Sequence, residues 1–390
     1  MIDGPFSSWP SFTEEEAEAV QQVLLSNRVN YWTGEEGREF EREFARATDS
    51  EYAIAVANGT VALELALRGL GIGAGDEVIV TSRTFLASAS SIVAVGAVPV
   101  FADVECDSQT LSLTTVVGHI TPRTRAIIAV HLAGWPCEMD ALINLSGNGI
   151  EVIEDCAQAH GARYRGRSVG SIGKVGCWSF CQDKIMSTGG EGGMVTTNDP
   201  ELWQRMWAYK DHGKSWSAVY EQQHPPGFRW LHESFGTNWR LTEMQAAIGR
   251  VQLRRLPAWS AQRRANAERI WATARECAGL RVPRPPEHIE HAAYKCYVFV
   301  QPHELSDGWD RDRIIDEVVA RGVPCFSGSC SEIYREKAFE DTGWRPEERL
   351  PVARELGETS LMLLCHPTLK AEEIEATCRA LKEVMAIATD

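Results

Sequence analysis

Short apolar runs alternate with amphipathic segments from residue 52 to residue 199, and this alternation restricts the folds open to the chain more than any other feature. YAIAVA (52–57), DEVIVTS (76–82), PVFADV (99–104), RAIIAVH (125–131) and GIEVIEDCA (149–157) are predicted strands. TVALELALRGLG (60–71) and LASASSIVAVG (86–96) are helical runs between them, and CWSFCQ (177–182) and GGMVTTND (192–199) are two further short strands. Strands alternating with helices predict an α/β fold with a mostly parallel, mixed sheet covered by helices on both faces. Such sheets bind ligands beyond the carboxyl ends of their strands.

Elements flank this unit on both sides. TEEEAEAVQQVLL (13–25) is a helix with Thr13 as N-cap and Glu16 closing a capping box. RVNYWTG (28–34) is a loop, and EEGREFEREFARAT (35–48) is a helix with Phe40 and Phe44 on one face. ELWQRMWAYKDHG (201–213) is helical, HPPGFRWLHESFGTNWR (224–240) is irregular, and a long helix runs from Thr242 to Leu256 and on past Pro257. From about residue 260 the pattern shortens to KCYVFVQP, DRIIDEVVARG and a last helix, AEEIEATCRALKEVMAI. A length of 390 residues exceeds one ordinary domain. The expected division is a large unit at 1–256 and a smaller C-terminal α/β unit at 257–390.

The formal charge of −15 argues against nucleic-acid binding, which needs a basic face, but leaves room for a small anion held by local arginines. The eleven cysteines show no C-x-x-C pair and no zinc-finger spacing, so the expectation is reduced thiols and no metal. The N-terminal stretch shows no signal-peptide pattern and no apolar run reaches membrane length, which together predict a cytoplasmic protein without membrane insertion.

Several strand ends carry unusual groups. Asn58-Gly59-Thr60 opens a helix, where free amides attract an anion and Gly59 permits close approach; an N-cap here is more often purely structural. Glu154 and Asp155 are neighbours at a strand end, so they point to opposite faces, one into the site and the other to solvent or a helix. Gln158 and His160 follow within reach, and His160 reads best as a satisfied supporting histidine. In SFCQDKIMSTGGEGG (179–193), Lys184 is a surface charge, a phosphate clamp or a nucleophile. TGGEGG lacks the Lys-Ser/Thr of a phosphate-binding loop, and Lys174 in GSIGKVG reads as solvated. A lysine, a carboxylate and a phosphate cradle that includes Ser179, at three strand ends, are what pyridoxal phosphate requires.

The segments ANGTVALELAL, TSRTFLASASSIVAVGAVPVFADV, IEDCAQAHGARYRGRSVGSIG, SFCQDKIMSTGGEGGMVTTND and FGTNWRLTEMQAAIGRVQL resemble the DegT/DnrJ/EryC1/StrS sugar aminotransferases, of the aspartate aminotransferase type I fold. The resemblance spans nearly the whole chain. It implies pyridoxal 5′-phosphate as cofactor, Lys184 as Schiff-base lysine and Asp155 as the carboxylate on the ring nitrogen. It also implies Gln158 near the phenolic oxygen, Phe85 stacked on the ring, and Gly59, Thr60 and Ser179 around the phosphate. Asn238 and Arg240 match the segment by which a partner subunit completes that site, so the resemblance implies a homodimer with shared sites. Lysine at 184, where some relatives carry histidine and dehydrate, favours transamination, with glutamate as donor and Lys184 moving the proton.

The resemblance places a nucleotide-sugar substrate across the dimer cleft, near Trp32, Thr33 and Gly34 and the basic 229–240 segment with Arg229 and His232. SGSCSEIYREKAF and LPVARELGETSLMLLCHPTL resemble enzymes that aminate C4 of nucleotide-linked, UDP-type 4-keto-6-deoxy-N-acetylhexosamines for surface polysaccharide. Ile185 stands where many sugar enzymes of the group carry asparagine, and similar lysine segments occur in branches acting on cyclitol ketones and aminobenzoates. A non-catalytic regulator is the remaining alternative, and the retained Lys184, Asp155 and Ser179 argue against it.

Overall fold

The computed structural model describes residues 5–390. The chain opens with α1 (Glu14–Ser26) and α2 (Glu36–Ala47). The capping box forms as expected: Glu16 accepts from the Thr13 amide at 2.9 Å and from its hydroxyl at 2.6 Å. Phe40 and Phe44 are fully buried with ring centroids 5.9 Å apart, one helical turn from each other.

The large unit then builds β1 (Tyr52–Val56), α3 (Gly59–Gly69), β2 (Glu77–Thr81), α4 (Ala87–Ala94), β3 (Val98–Ala102), α5 (Leu113–Val116), β4 (Thr124–Val130), α6 (Met139–Ile143) and β5 (Glu151–Asp155). A small hairpin, β6 (Arg163–Tyr164) and β7 (Arg167–Ser168), precedes β8 (Val175–Ser179), β9 (Gly193–Thr197), α7 (Pro200–Lys210) and α8 (Trp216–Tyr220). The main sheet has the order β1-β9-β8-β5-β4-β2-β3. Strands β8, β5, β4, β2 and β3 are mutually parallel, whereas β9 runs antiparallel to both of its neighbours. Because β9 reverses direction twice over, β1 points the same way as β8, and the carboxyl ends of β1, β2, β5 and β8 share one edge. The strands are buried on both faces, as the near-continuous apolar runs required.

Helix α9 (Glu243–Ala274) is continuous through Pro257, so the expected boundary at 256/257 falls inside one helix. Its first half packs on α1 and α2. Its second half joins β10 (Leu280–Arg281), β11 (Ile289–Glu290), β12 (Cys296–Val300), α10 (Arg311–Ala320), β13 (Cys325–Phe326), α11 (Pro351–Thr359), β14 (Ser360–Leu363) and α12 (Ala371–Ala388). Strands β10, β12, β14 and β13 form an antiparallel sheet in that order, while β11 pairs with β6 of the large unit. Ala267, Ile270, Trp271, Val298, Leu361 and Leu381 sit in the second core. All eleven cysteines are free thiols. Among the described residues, no helix is long and apolar enough to cross a membrane.

Candidate active site

The common edge of β1, β2, β5 and β8 opens into a cavity of about 510 Å³. Gly59, Thr60, Phe85, Asp155, Gln158, Ser179 and Lys184 all line it. Seven positions from four separate stretches of sequence therefore meet in one place. Ser88, Thr84 and Asp183 line it as well.

Asp155 ends β5 and is 6% exposed. Its Oδ2 accepts from Ser88 Oγ at 2.8 Å and its Oδ1 from the Ala157 amide at 3.1 Å. The Ser88 hydroxyl pairs in turn with Thr84 at 2.9 Å. Burial raises the Asp155 pKa, only partly offset by these bonds and by the charge on Lys184. The group is thus a buried carboxylate that a cation in the cavity stabilises. Glu154 lies on the opposite face, but it meets neither solvent nor a helix as expected. It is fully buried, bonded to His131 Nε2 at 2.9 Å and to the amides of Gly170, Ile172 and Gly173. His131 Nδ1 accepts from the Cys137 amide at 3.0 Å, which places the ring proton on the Nε2 that faces Glu154. Glu154, His131 and Cys156 come within 4.8 Å of one another as potential metal ligands, yet four donors already saturate the carboxylate.

Lys184 sits in the irregular turn between β8 and β9, with its side chain 16% exposed and Nζ 3.7 Å from Asp183 Oδ1. Asp183 Oδ2 accepts from Tyr294 Oη at 2.5 Å. Burial alone would raise the Asp183 pKa, but Lys184, Tyr294 and Lys295 outweigh it and hold the carboxyl below its ordinary value. Sequence reasoning missed Asp183, Ser88 and Thr84; the last two flank Phe85 in TSRTFLASASS, where Phe85 alone is an expected site residue.

The anion cradle is built by close packing. A Cβ on Gly59 would lie 2.6 Å from Ser179 Cβ, so only glycine lets α3 start this near β8. Asn58 caps the helix, accepting from the Val61 amide at 3.0 Å. The amides of Gly59 and Thr60, first in the helix, have no partner within it, and both residues line the cavity with Ser179. Phe85 is 70% exposed and lines the cavity, a large ring with one face free. Gln158 Oε1 accepts from the Ala133 amide at 2.8 Å, which leaves its NH₂ to donate.

These groups fit pyridoxal phosphate: a lysine amine for the aldehyde, a buried carboxylate for the ring nitrogen, a free aromatic face for the ring, an amide donor for the phenolic oxygen and a helix start for the phosphate.

Other expected positions lie elsewhere. Trp32, Thr33, Gly34, Arg229, Asn238 and Arg240 do not line this cavity in their own chain. Trp32 stacks on Tyr220 with 6.4 Å between centroids and carries Lys214 over its ring. Gly34 packs against Glu243, which accepts from the Glu36 and Gly37 amides at the start of α2. Arg229 is exposed. Asn238 is exposed, and Arg240 Nη1 donates to Asp211 at 2.6 Å. His160 is a correction: it is buried as expected but not satisfied. Neither ring nitrogen finds a hydrogen-bond partner among the described residues, and the ring packs between Trp178 and Phe180. Burial and the Lys184 charge lower its pKa to about 3, so it is neutral. Lys174 is not simply solvated: its Nζ pairs with Asp199 Oδ2 at 2.7 Å.

Comparison with known proteins agrees with this geometry. The profile of the DegT/DnrJ/EryC1/StrS aminotransferase family matches residues 10–382. The dTDP-3-amino-3,4,6-trideoxy-alpha-D-glucose transaminase of Streptomyces venezuelae is 36% identical over 366 residues, 94% of this chain and 90% of that protein. The UDP-N-acetyl-3-dehydro-alpha-D-glucosamine 3-aminotransferase of Acidithiobacillus ferrooxidans is 35% identical over 358 residues, 92% of this chain and 90% of that protein. The crystal structure of an aminotransferase from Psychrobacter cryohalolentis superimposes with a TM-score of 0.97 at 60% identity, covering 99% of this chain and 100% of that one. A family model that matches residues 10–382, with transaminase relatives and aminotransferase structures matched over more than nine-tenths of the chain, makes this protein a pyridoxal-phosphate-dependent aminotransferase that belongs to the DegT/DnrJ/EryC1/StrS family.

Proposed function

We propose that this protein transfers an amino group from glutamate to the ketone of a nucleotide-linked sugar, with Lys184 and Asp155 as its catalytic residues. The observation that carries the reading is one cavity lined by the Lys184 amine, the Asp155 carboxylate and the start of α3. Pyridoxal phosphate, when bound, supplies the electron sink for a carbanion at the donor's α carbon. Asp155 holds a proton on the ring nitrogen through a charge-assisted bond, and Ser88 and Ala157 keep the carboxylate in place. The Lys184 amine would act as general base and general acid, taking the proton from the donor's α carbon and later returning it. Phe85 would stack on the ring, Gln158 would donate to its phenolic oxygen, and Gly59, Thr60 and Ser179 would hold the phosphate.

The sugar lies near Trp32, Thr33, Gly34 and Arg229, in a cleft completed by a second copy of the chain. The support for a homodimer is the stretch that carries Arg229: Phe228, Trp230 and Phe235 are 75%, 84% and 99% exposed. Three large aromatics on one loop rarely face water in a finished assembly. Asn238 or Arg240 then completes the phosphate site of the other subunit. A monomer in sedimentation at working concentration would remove this part of the reading.

The narrow form of the proposal is amination at C4 of a UDP-linked 4-keto-6-deoxy-N-acetylhexosamine for surface polysaccharide. It rests on SGSCSEIYREKAF, which docks beside the Phe85 loop through the Ile333 amide and the Ser82 carbonyl at 3.0 Å. Both transaminase relatives above carry the number 3 in their names, so a test panel needs 3-keto and 4-keto sugars on UDP, dTDP and GDP. Mass spectrometry after incubation with glutamate is expected to show amination of the UDP 4-keto sugar, and borohydride to fix the cofactor on the Lys184 peptide. Label on the Lys174 peptide overturns the site. Turnover of a free cyclitol ketone, with none on any nucleotide sugar, overturns the substrate class.

A further inference from the structure

The main-chain carbonyl of Lys184 has one hydrogen bond among the described residues, and its donor comes from the other end of the sequence. Trp9 Nε1 donates to Lys184 O at 2.8 Å. Residue 9 lies just outside the span matched by the family profile, 10–382. We propose that Trp9 is a positioning residue that fixes the backbone of the reactive lysine and ties it to the small unit. The inference rests on Lys184 being the cofactor lysine.

The lysine turn needs such a support. Lys184 belongs to no helix or strand, and its amide bonds only to the Cys181 carbonyl at 3.1 Å. Downstream, Ile185 and Met186 are fully buried and the Ser187 amide is held by Gln252 at 2.7 Å. The carbonyl of Lys184 thus stands at a buried margin, where a missing partner is costly.

Trp9 is itself held from three sides. The Arg263 guanidinium lies 4.7 Å from its ring centroid, Trp259 meets it edge-on at 5.1 Å, and His366 stacks at 6.1 Å. Arg263 is 1% exposed, and its Nε and Nη2 have no hydrogen-bond partner among the described residues, so the indole face is a principal stabiliser of that buried cation. The preceding residues are clasped to the small unit: Glu373 accepts from the Ser7 amide at 2.5 Å, and Thr368 donates to the Ser8 carbonyl at 2.8 Å. A path of direct contacts therefore runs from the start of α12 through residues 7–9 to the lysine backbone.

The test separates the N–H from the packing. Trp9→Phe keeps an aromatic ring and removes the donor. Trp259→Phe disturbs the same packing and leaves the donor. Two readouts apply. One is the half-reaction with glutamate, followed by rapid mixing and resolved into donor affinity and rate. The other is competitive acetylation of the apoprotein, with Lys174 as internal reference. We expect Trp9→Phe to slow the half-reaction rate by about 2- to 10-fold, the equivalent of one neutral hydrogen bond, at unchanged donor affinity. The acetylation ratio of Lys184 to Lys174 should shift with it, and Trp259→Phe, which keeps the donor, should change both clearly less than Trp9→Phe. Wild-type values for Trp9→Phe, or equal losses in the two variants, overturn the proposal. If Trp9→Phe does not fold, Thr368→Val, which loosens the clasp at Ser8, decides the matter on the same readouts: a wild-type rate and ratio count against it. Failure of the cofactor to attach to Lys184 in the wild type would sink the functional reading, while the acetylation ratio would still report on Trp9.

Discussion

Asp155 is the residue whose environment says most about what is meant to lie beside it. It is buried, it accepts two hydrogen bonds, and burial still raises its pKa. A carboxyl raised above its unfolded value binds a proton more readily in the native state. Stability of the apoprotein is therefore lost as pH rises from the ordinary aspartate value through the folded one. Asp155→Asn removes that penalty and keeps the shape, with Ser88 turning its hydroxyl to accept from the new amide. The apo variant should melt above the apo wild type at pH 7, and the advantage should shrink on acidification. Turnover should fall by at least tenfold, because charge-assisted bonds are roughly twice as strong as neutral ones. Near-normal turnover would show that Asp155 does not hold the ring nitrogen. At this scale the sequence was partly legible. Strand alternation said that one of Glu154 and Asp155 faces the site, but the choice depends on amides of residues 170–173 and on His131, none of them near in sequence. The unpartnered nitrogens of His160, the Lys174–Asp199 pair and the Trp9–Lys184 bond escaped for the same reason.

At the scale of elements, the site is a matter of how closely α3 approaches β8. Gly59 has no positive φ to satisfy and is there for space: a Cβ would fall 2.6 Å from Ser179 Cβ and 3.1 Å from its Oγ. Gly59→Ala must move the helix start away from the strand and disturb two arms of the phosphate cradle at once. Cofactor affinity should weaken by roughly tenfold or more, the cost of about one charged hydrogen bond. Gly118→Ala, where a Cβ meets nothing within 4 Å, is the control for the substitution itself. Equal affinity of the Gly59→Ala protein and the wild type, by spectroscopic titration of cofactor, would mean that the phosphate lies elsewhere. Most elements were readable because the strands of the large sheet, apart from the half-buried edge strand β3, are buried on both faces and flanked by turn residues. Helix α9 shows where local rules yield: a proline ordinarily ends or kinks a helix, yet both halves are held by packing, the first on α1 and α2 and the second on α12 and β12. The residues expected in segments 28–34 and 229–240 do not line the cavity within one chain, and no local pattern in the sequence indicated that.

On the scale of the whole molecule, three buried histidines in separate places make the chain sensitive to acid. His160 packs on Trp178 and Phe180 in the large unit, His291 meets Trp135 and Trp271 where the units join, and His366 stacks on Trp9. Burial, aided by nearby cations, lowers their pKa values to about 3, about 3 and about 4. An unfolded histidine titrates near 6.5, so below that pH the unfolded chain takes up protons that the native rings refuse. The contribution of each ring is fully present above pH 6.5 and is lost as pH falls toward the folded value. The loss is roughly 1.4 kcal/mol per ring for each pH unit once the unfolded histidine is protonated. Between pH 6.5 and 4.5 the melting temperature should therefore fall continuously, with proton uptake on unfolding. His160→Phe isolates one share of this effect, because the ring makes no hydrogen bond that the substitution would break. Its melting temperature should lie near the wild type at pH 7 and above it at pH 5, with calorimetry showing about one proton fewer taken up on unfolding. A variant that follows the wild-type pH profile would mean that His160 is charged in the folded protein, against the burial and the Lys184 and Arg263 charges that disfavour its cation.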